Sequence, residues 1–183
     1  LGNSLADAGH EVHTFSSVVS YRAGSERRPR REKLDKLEVR RVWVFGGENN
    51  SSIKRLVNAL IYSISLFVEV LRQRPDVVTA STFPPVVAGW SASLAAKLCG
   101  ARFIYHVQDI HPEVSIYSGG KLGLALPARV LTVIDNQTLR RADTIITLSK
   151  DMAETLRARG LGDLPVTIIN NPPLQSIGDP IAA

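Results

Sequence analysis

The sequence predicts an α/β fold, namely a Rossmann-like, mostly parallel sheet with helices on both faces. Between residues 53 and 169, short β-branched runs alternate with segments whose apolar residues recur at helical spacing. This alternation is typical of parallel sheets built from β-α-β units. The 183 residues suffice for one domain with a hydrophobic core, and 44% hydrophobic with 21% charged residues is an ordinary globular composition.

The elements of residues 1–45 are predicted from the residues that end them and from their composition. Residues 1–9 have the pattern of the end of an amphipathic helix closed by Gly9, and residues 11–15 predict a short strand. Residues 16–36 are polar and basic and contain Gly and Pro, so we interpret them as a loop. Residues 37–45 are rich in β-branched and aromatic side chains, which favours a strand.

Residues 53–72 predict a long helix. Its apolar repeat consists of Leu56, Leu60, Ile64, Phe67, Val68 and Leu71. Asn58, Ser63 and Glu69 interrupt the apolar surface, which argues against a segment that crosses a membrane. Packing against a sheet is one interpretation of this helix, and contact with a membrane surface is the other.

The remaining elements alternate regularly. We expect strands at residues 76–80, 102–107, 144–148 and 166–169. We expect helices at residues 86–98, 122–142 and 150–159. Ser149 is placed to cap the last helix and Gly160 to end it.

The positive charge is concentrated in one segment. The net charge is +5, and residues 22–41 contain nine Lys or Arg and four Asp or Glu, so the rest of the chain is neutral. Such a segment can contact phosphates, an anionic membrane surface or nucleic acid, and a solvated loop explains it equally well. Aromatic residues are not interleaved with its cations, so nucleic-acid binding is not expected.

Two polar turns follow neighbouring strands of the predicted sheet. Residues 81–85 and residues 108–113 come directly after the strands at 76–80 and 102–107. Ligands of open α/β sheets bind outside the carboxyl ends of the strands, so the two turns form a candidate site for a polyhydroxylated ligand. The alternative is that prolines simply end both strands there.

Several other chemistries lack their sequence signature. Cys99 is the only cysteine, so an internal disulfide is impossible, and it lies in an apolar helical run. The chain contains no Gly-x-Gly-x-x-Gly after a strand, no Walker loop and no Gly-x-Ser-x-Gly elbow. The four histidines have no familiar metal spacing, although His106, Asp109 and His111 can approach one another on a loop.

Four segments, taken in order, resemble one known family. They are residues 5–15, with Gly-His-Glu-Val, residues 102–113, with Gln-Asp and Pro-Glu, residues 142–149, with Ala-Asp and a final Ser, and residues 166–172. Together they resemble the N-terminal domain of GT-B glycosyltransferases of family 4. The resemblance is strongest to the bacterial subgroup that builds surface polysaccharides such as O-antigen and colanic acid, and it covers nearly the whole chain.

The resemblance implies a glycosyltransferase with two Rossmann-like domains. The C-terminal domain of this family binds the nucleotide-sugar donor, here a UDP- or GDP-sugar. The N-terminal domain binds the acceptor, often a polyprenyl-linked sugar at the inner face of the cytoplasmic membrane. No permanently bound cofactor or metal is implied, and the expected location is cytoplasmic, with peripheral membrane contact.

The resemblance also assigns roles to residues. Asp109 is the expected catalytic residue, which positions the acceptor hydroxyl or takes its proton. The expected acceptor-binding residues are Ser81, Thr82, Phe83, Gln108, His111 and Glu113. The expected contacts to membrane or phosphate are Arg27, Arg28, Arg30 and Arg31. Many family members have His where this chain has Gln108, so a histidine role is not transferred to that position.

The resemblance further implies that the domain spans residues 1–174 and that residues 175–183 lead toward a donor-binding domain. The family's first, central strand is expected before Leu1. The 183 residues alone are therefore expected to be inactive and poorly stable. The alternative function is a non-catalytic Rossmann-like module that binds a glycan or lipid carrier. A nucleotide-dependent dehydrogenase or epimerase is a third and more distant possibility.

Overall fold

The computed structural model describes residues 2–18, 28–45, 52–84, 86–110 and 128–170. Its helices are α1 (Gly2–Asp7), α2 (Ser52–Gln73), α3 (Val87–Cys99), α4 (Ala128–Arg141) and α5 (Lys150–Ala158). Its strands are β1 (Val12–Ser17), β2 (Arg31–Leu34), β3 (Leu37–Val42), β4 (Val77–Ser81), β5 (Arg102–Val107), β6 (Thr144–Thr147) and β7 (Val166–Ile168).

The strands form two sheets, in the orders β1-β3-β2 and β4-β5-β6-β7. Neighbours in the four-stranded sheet are all parallel, as are β1 and β3, and β2 pairs with β3 in the antiparallel sense. The predicted α/β class with a mostly parallel, Rossmann-like sheet is therefore confirmed. The predicted helix at 122–142 is confirmed over α4, and residues 122–127 lie outside the described residues.

Strands β1 and β4 stand at the edges of the two sheets. Among the described residues each of these strands pairs on one side only, because β1 ends the three-stranded sheet and β4 ends the four-stranded sheet. Their exposure fits an open edge, since β1 has no fully buried residue and Val77 at the start of β4 is exposed.

Strand β2 corrects the prediction of a loop at residues 16–36. Its sequence, Arg-Glu-Lys-Leu, carries no β signal, and the strand forms because it pairs with β3 across a turn at Asp35 and Lys36. Asp35 has a φ of 52°, which suits Asp in a two-residue hairpin turn. The buried Arg41 fixes the hairpin, since its guanidinium lies 2.7 Å from the carboxylate of Glu32.

Helices lie on both faces of the three-stranded sheet. Gly2 of α1 approaches the side chain of Leu37, whereas the guanidinium of Arg40 donates to both carboxylate oxygens of Glu69 in α2, at 2.6 and 2.9 Å. Residues 37 and 40 differ by an odd number of positions and so point to opposite faces of β3. Helix α2 also reaches the other sheet, because Val70 shares a buried cluster with Val78 of β4.

Helix α3 packs closely because its buried side chains are small. Those residues are Ala88, Gly89, Ser91, Ala92, Ser93, Ala95 and Ala96. The Ser91 hydroxyl donates to the Ser63 carbonyl of α2 at 2.6 Å, and a Cβ on Gly89 would lie 2.9 Å from the ring of Tyr105 in β5. The small-residue helix predicted at 86–98 thus brings α2, α3 and β5 together in one core.

Candidate functional site

The carboxyl ends of β4 and β5 lie side by side. The two strands are parallel neighbours, with Ser81 opposite His106. Beyond the strand ends, the backbone N–H of Asp109 donates to the hydroxyl oxygen of Thr82 at 3.3 Å. The two turns expected to meet at one edge of the sheet are therefore joined directly by a hydrogen bond.

The polar side chains at this edge differ in exposure. Thr82 is buried, with 4% of its surface exposed, whereas Phe83, Gln108 and Asp109 are exposed and Ser81 is half-buried. Thr82 thus holds the backbone of the turn while its neighbours face solvent. The exposed groups offer a carboxylate, an amide and an aromatic ring, which together suit the hydroxyls and the apolar face of a sugar.

His106 lies on the face of the sheet opposite to Tyr105, since successive residues of a strand alternate. Ser81 shares its face, because the two residues are partners in the parallel register. Burial lowers the pKa of His106 from its ordinary value, since burial disfavours the imidazolium. Burial therefore favours the neutral imidazole beside the candidate site, and that form can accept one hydrogen bond and donate another.

The other face of β5 rests on a buried ion pair. Arg159, which directly follows α5, places its guanidinium 2.6 Å from the carboxylate of Asp135 in α4. The Tyr105 hydroxyl donates to the same carboxylate at 3.3 Å. Burial and the neighbouring Asp135 carboxylate raise the pKa of Tyr105 far above its ordinary range, so the phenol stays protonated. These contacts tie β5, which carries the site, to two helices.

The turn after β4 leads into α3 through a strained residue. Val86 has a φ of 62°, a left-handed value that is unfavourable for a β-branched side chain, and it is almost fully buried. Such outliers persist only where the surrounding structure enforces them, and they cluster at functional sites. The strained Val86 thus marks the connection between β4 and α3 as a candidate functional element.

The structure brings together five of the expected site residues. They are Ser81, Thr82, Phe83, Gln108 and Asp109. His111, Glu113 and Arg27 lie outside the described residues. Arg28, Arg30 and Arg31 are exposed at the start of the hairpin of β2 and β3, on the three-stranded sheet, so they belong to a different part of the surface from Asp109.

A third strand adds polar residues that the sequence reasoning left out of the site. β6 pairs with β5, and Val107 is opposite Thr147, so the turn after β6 reaches the same edge. Ser149 there accepts a hydrogen bond from the N–H of Met152 and caps α5, as predicted. The signal was present in the regular β-α-β alternation, which places every strand end at this edge.

The described residues lack two further features, a metal-binding cluster and a membrane-spanning helix. Over the part of the chain that the structure describes, no three His, Cys, Asp or Glu side chains cluster so as to hold a metal ion. In the same residues no helix combines the length and apolar character needed to cross a membrane.

Comparison with known proteins identifies the family. Residues 1–172 match the family described as a glycosyl transferase 4-like domain, and the chain belongs to that family. It is also 26% identical over 167 residues to a putative colanic acid biosynthesis glycosyl transferase, WcaI, of Escherichia coli (strain K12). That match covers 86% of this chain and 41% of the relative, so the chain spans well under half the length of the relative.

Proposed function

We propose that this chain is the acceptor-side domain of a glycosyltransferase that moves a sugar from a nucleotide-sugar donor to a glycan or lipid-linked acceptor. The observation that carries the proposal is the family match over residues 1–172, combined with exposed polar groups at the carboxyl edge of a parallel sheet. The name of the E. coli relative concerns colanic acid, which supports bacterial polysaccharide biosynthesis as the pathway class.

Asp109 is the residue proposed to act on the acceptor. Its side chain is exposed while its backbone N–H is fixed by Thr82, so the carboxylate is presented from a held position. A carboxylate can accept a hydrogen bond from the attacking hydroxyl and so orient it, or it can take the proton as that hydroxyl attacks. The two roles differ in what an amide at this position would preserve.

The surrounding side chains are proposed to recognise the acceptor sugar. Gln108 and Ser81 supply donors and acceptors for hydroxyl groups, and the exposed ring of Phe83 supplies an apolar wall. His111 and Glu113 stay part of the proposal because they follow the same strand end in sequence. We expect changes at these positions to raise the KM for the acceptor more than the KM for the donor.

The donor and the location complete the proposal. A UDP- or GDP-sugar is the expected donor, bound by a separate domain, with no permanently bound cofactor. Residues 1–174 are proposed as the acceptor-side domain. The protein is proposed to act in the cytoplasm, at the inner face of the membrane, where the exposed guanidinium groups of Arg28, Arg30 and Arg31, with Arg27, contact an acceptor diphosphate or anionic lipid.

The full-length protein is tested with a panel of UDP- and GDP-sugars. The assay measures hydrolysis of each donor and transfer of its sugar to a polyprenyl-diphosphate sugar. Asp109→Ala is expected to lower kcat about a hundredfold or more while donor binding is retained. If Asp109 only positions the hydroxyl, Asp109→Asn should keep much of the rate, because its amide oxygen still accepts a hydrogen bond. If Asp109 takes the proton, both variants should be equally impaired.

The matched control is Asp76→Asn. Asp76 is an exposed carboxylate that precedes β4, so it lies at the amino edge of the same sheet. Its replacement should leave the rate unchanged. Full activity in the Asp109 variants would remove Asp109 from the site. Binding of the polyprenyl-diphosphate sugar without turnover of any donor would instead favour the non-catalytic carrier-binding module.

A further inference from the structure

Two exposed aromatic residues lie just after the end of β3, and we call them the aromatic pair. They are Trp43 and Phe45, with 39% and 41% of their surface exposed. Their ring centroids lie 4.6 Å apart and the ring planes meet at 69°, so the rings form a corner rather than a flat patch. The chain's other tryptophan, Trp90, is instead half-buried, and its indole N–H donates to Gln137 at 3.1 Å. An exposed aromatic pair of this kind marks a candidate interaction site.

Helix α2 fixes the aromatic pair. The side chain of Asn58 donates to the carbonyl of Phe45 at 2.9 Å and accepts from its N–H at 2.8 Å. One amide side chain thus bonds both backbone polar groups of a residue that lies beyond the end of β3. A surface that is already ordered loses less conformational entropy when a ligand binds. The aromatic pair is therefore pre-organised for binding.

The aromatic pair lies at the same end of the molecule as the turns after β4 and β5. Helix α2 runs antiparallel to β3, because its N-terminal part holds Phe45 whereas Glu69, near its C-terminal end, bonds Arg40. It also runs antiparallel to β4, because its C-terminal end packs with Val78 at the start of β4 and its middle bonds Ser91 of α3, the helix that follows β4. The carboxyl ends of β3 and β4 therefore point the same way, and ligands of open α/β sheets bind at such ends.

At least two strands separate the aromatic pair from Asp109. Because α2 packs on both sheets, the sheets lie side by side. β3 lies between β1 and β2, and β5, which precedes Asp109, lies between β4 and β6. One strand of each sheet therefore stands between β3 and β5, which makes three strand spacings, or about 14 Å, at the minimum. A sugar ring that contacts the aromatic pair is therefore not the one whose hydroxyl meets Asp109.

Cations lie beside the aromatic pair. The backbone N–H of Arg41 donates to the carbonyl of Arg30 at 2.8 Å, and the guanidinium of Arg41 donates to the carbonyl of Pro29 at 3.0 Å. The segment at 28–30 is therefore held against the end of β3, where the aromatic pair begins. Arg28 and Arg30 are exposed, and guanidinium groups bind phosphate oxygens with two hydrogen bonds. This part of the surface can thus contact a sugar ring and a phosphate together.

We propose that the aromatic pair is a second acceptor subsite, which stacks against one pyranose unit while Asp109 acts on a hydroxyl of another unit. The C–H groups on the apolar face of a pyranose carry a slight positive charge and fit the negative face of an aromatic ring, and the indole N–H can donate to a hydroxyl. The acceptor then carries at least two sugar units, with its diphosphate toward Arg28 and Arg30. This inference rests on the proposed function, because it specifies the acceptor of the same reaction.

The subsite is tested with the full-length protein and two acceptors, polyprenyl diphosphates that carry either one sugar or a short oligosaccharide. Trp43→Ala should raise the KM for the oligosaccharide acceptor about tenfold, because an aromatic contact is lost. It should leave kcat and the KM for the donor unchanged, because the ring does not contact the reacting atoms. The KM for the one-sugar acceptor should also stay unchanged. Trp43→Phe should retain most of the binding, because it keeps an aromatic ring.

Saturation-transfer nuclear magnetic resonance measures sugar binding without turnover. The probes are the methyl glycosides of glucose, galactose and fucose, and the wild type should transfer saturation to at least one of them. Trp43→Ala should abolish this signal. The matched control is Leu34→Ala, because Leu34 exposes 38% of its surface but lies at the amino end of β3, where it pairs with Leu37. This variant should keep the signal and the wild-type KM values, and circular dichroism should show that all variants fold.

The results separate a wrong subsite from a wrong function. If Asp109→Ala abolishes transfer while Trp43→Ala changes no KM, the second subsite is wrong and the proposed function stands. If no donor is turned over while Trp43→Ala still abolishes the glycoside signal, the aromatic pair binds sugar and the proposed function is wrong. Absence of the glycoside signal in the wild type would overturn the subsite. So would a loss of flotation with phosphatidylglycerol vesicles in Trp43→Ala when the glycoside signal is kept, because the aromatic pair would then contact lipid.

Discussion

The backbone N–H of Asp109 donates to the hydroxyl oxygen of Thr82 at 3.3 Å, and this bond joins the turns that follow two neighbouring parallel strands. Thr82 is buried, whereas Asp109 is exposed. A buried hydroxyl in the turn after one strand thus sets the position from which a carboxylate in the turn after the next strand meets solvent. Substitutions can measure the consequences of this arrangement.

Thr82→Val removes the hydroxyl and keeps the shape of the side chain. The N–H of Asp109 loses its partner, and we expect the free energy of unfolding to fall by about 0.5–1.5 kcal/mol. We expect a larger effect on function, namely a several-fold rise in the KM for the acceptor with the KM for the donor unchanged. Steady-state kinetics of the full-length protein, with each substrate varied in turn, measure the difference.

Thr82→Ser is the control, because it keeps the hydroxyl and removes only the methyl group. It should retain the wild-type KM for the acceptor. If Thr82→Val raised the KM values for both substrates alike, the bond to Asp109 would have a general structural role rather than a role on the acceptor side.

Gly89→Ala tests the close approach of α3 to β5. The added Cβ would lie 2.9 Å from the Cε2 atom of Tyr105, a ring that is buried and hydrogen-bonded to Asp135 and so cannot move freely. Overpacking of this kind costs about 1–3 kcal/mol, which exceeds the helix propensity of about 1 kcal/mol gained on replacing Gly with Ala. We therefore expect a lower midpoint of chemical denaturation.

The double variant with Tyr105→Leu checks the cause of that loss. Removing the ring should make the Gly89→Ala change much less costly, which appears as a coupling free energy in a double-mutant cycle. A stabilising effect of Gly89→Ala in the wild-type background would show that helix propensity outweighs the contact.

The order of helices and strands could be predicted because the residues that end elements and the spacing of apolar residues agree along most of the chain. The strand predicted at 102–107 coincides with β5, and the helix predicted at 53–72 is α2 with one further residue at each end. β2 could not be predicted, because its charged sequence becomes a strand only through pairing with β3 and through the buried contact between Arg41 and Glu32.

The candidate site also combines features that the sequence predicts with features that it does not. Side-by-side turns follow from parallel neighbouring strands, so the proximity of Ser81–Thr82 and Gln108–Asp109 could be predicted from the sequence. The hydrogen bond from the N–H of Asp109 to Thr82 could not be predicted, because it depends on the path of the backbone in the turn. For α2, apolar residues occur nearly all round the helix, so only the contacts of Asn58, Tyr62 and Glu69 identify the outward face.

His106 should make stability depend on pH. Burial lowers its pKa in the folded protein, so the unfolded chain, with a histidine pKa of about 6.5, takes up the proton first. The free energy of unfolding should therefore decrease as the pH falls through 6.5 and continue to decrease until the pH reaches the folded pKa. The free energy of unfolding of the His106→Gln variant should decrease less over that pH range. Urea denaturation at a series of pH values measures the difference.

A nuclear magnetic resonance titration of the His106 ring gives an independent check. Its midpoint should lie below 6.5. A midpoint at or above that value, or equal slopes of stability against pH for wild type and His106→Gln, would contradict the conclusion that partial burial lowers the pKa of His106.

The ion pair between Asp135 and Arg159 should be far more important for stability than its length alone implies. Its 2.6 Å separation nearly equals the 2.7 Å between Asp7 and Lys36. The exposed side-chain fractions differ, however: 6% for Asp135 and 8% for Arg159, against 65% for both Asp7 and Lys36. Asp135→Asn leaves a buried guanidinium without its carboxylate, and we expect a loss of about 3–5 kcal/mol in the free energy of unfolding. Asp7→Asn, the matched control, should cost less than about 1 kcal/mol, because water and salt screen the exposed pair. Chemical denaturation of both variants decides the matter, since equal losses would show that burial does not set the strength of these contacts.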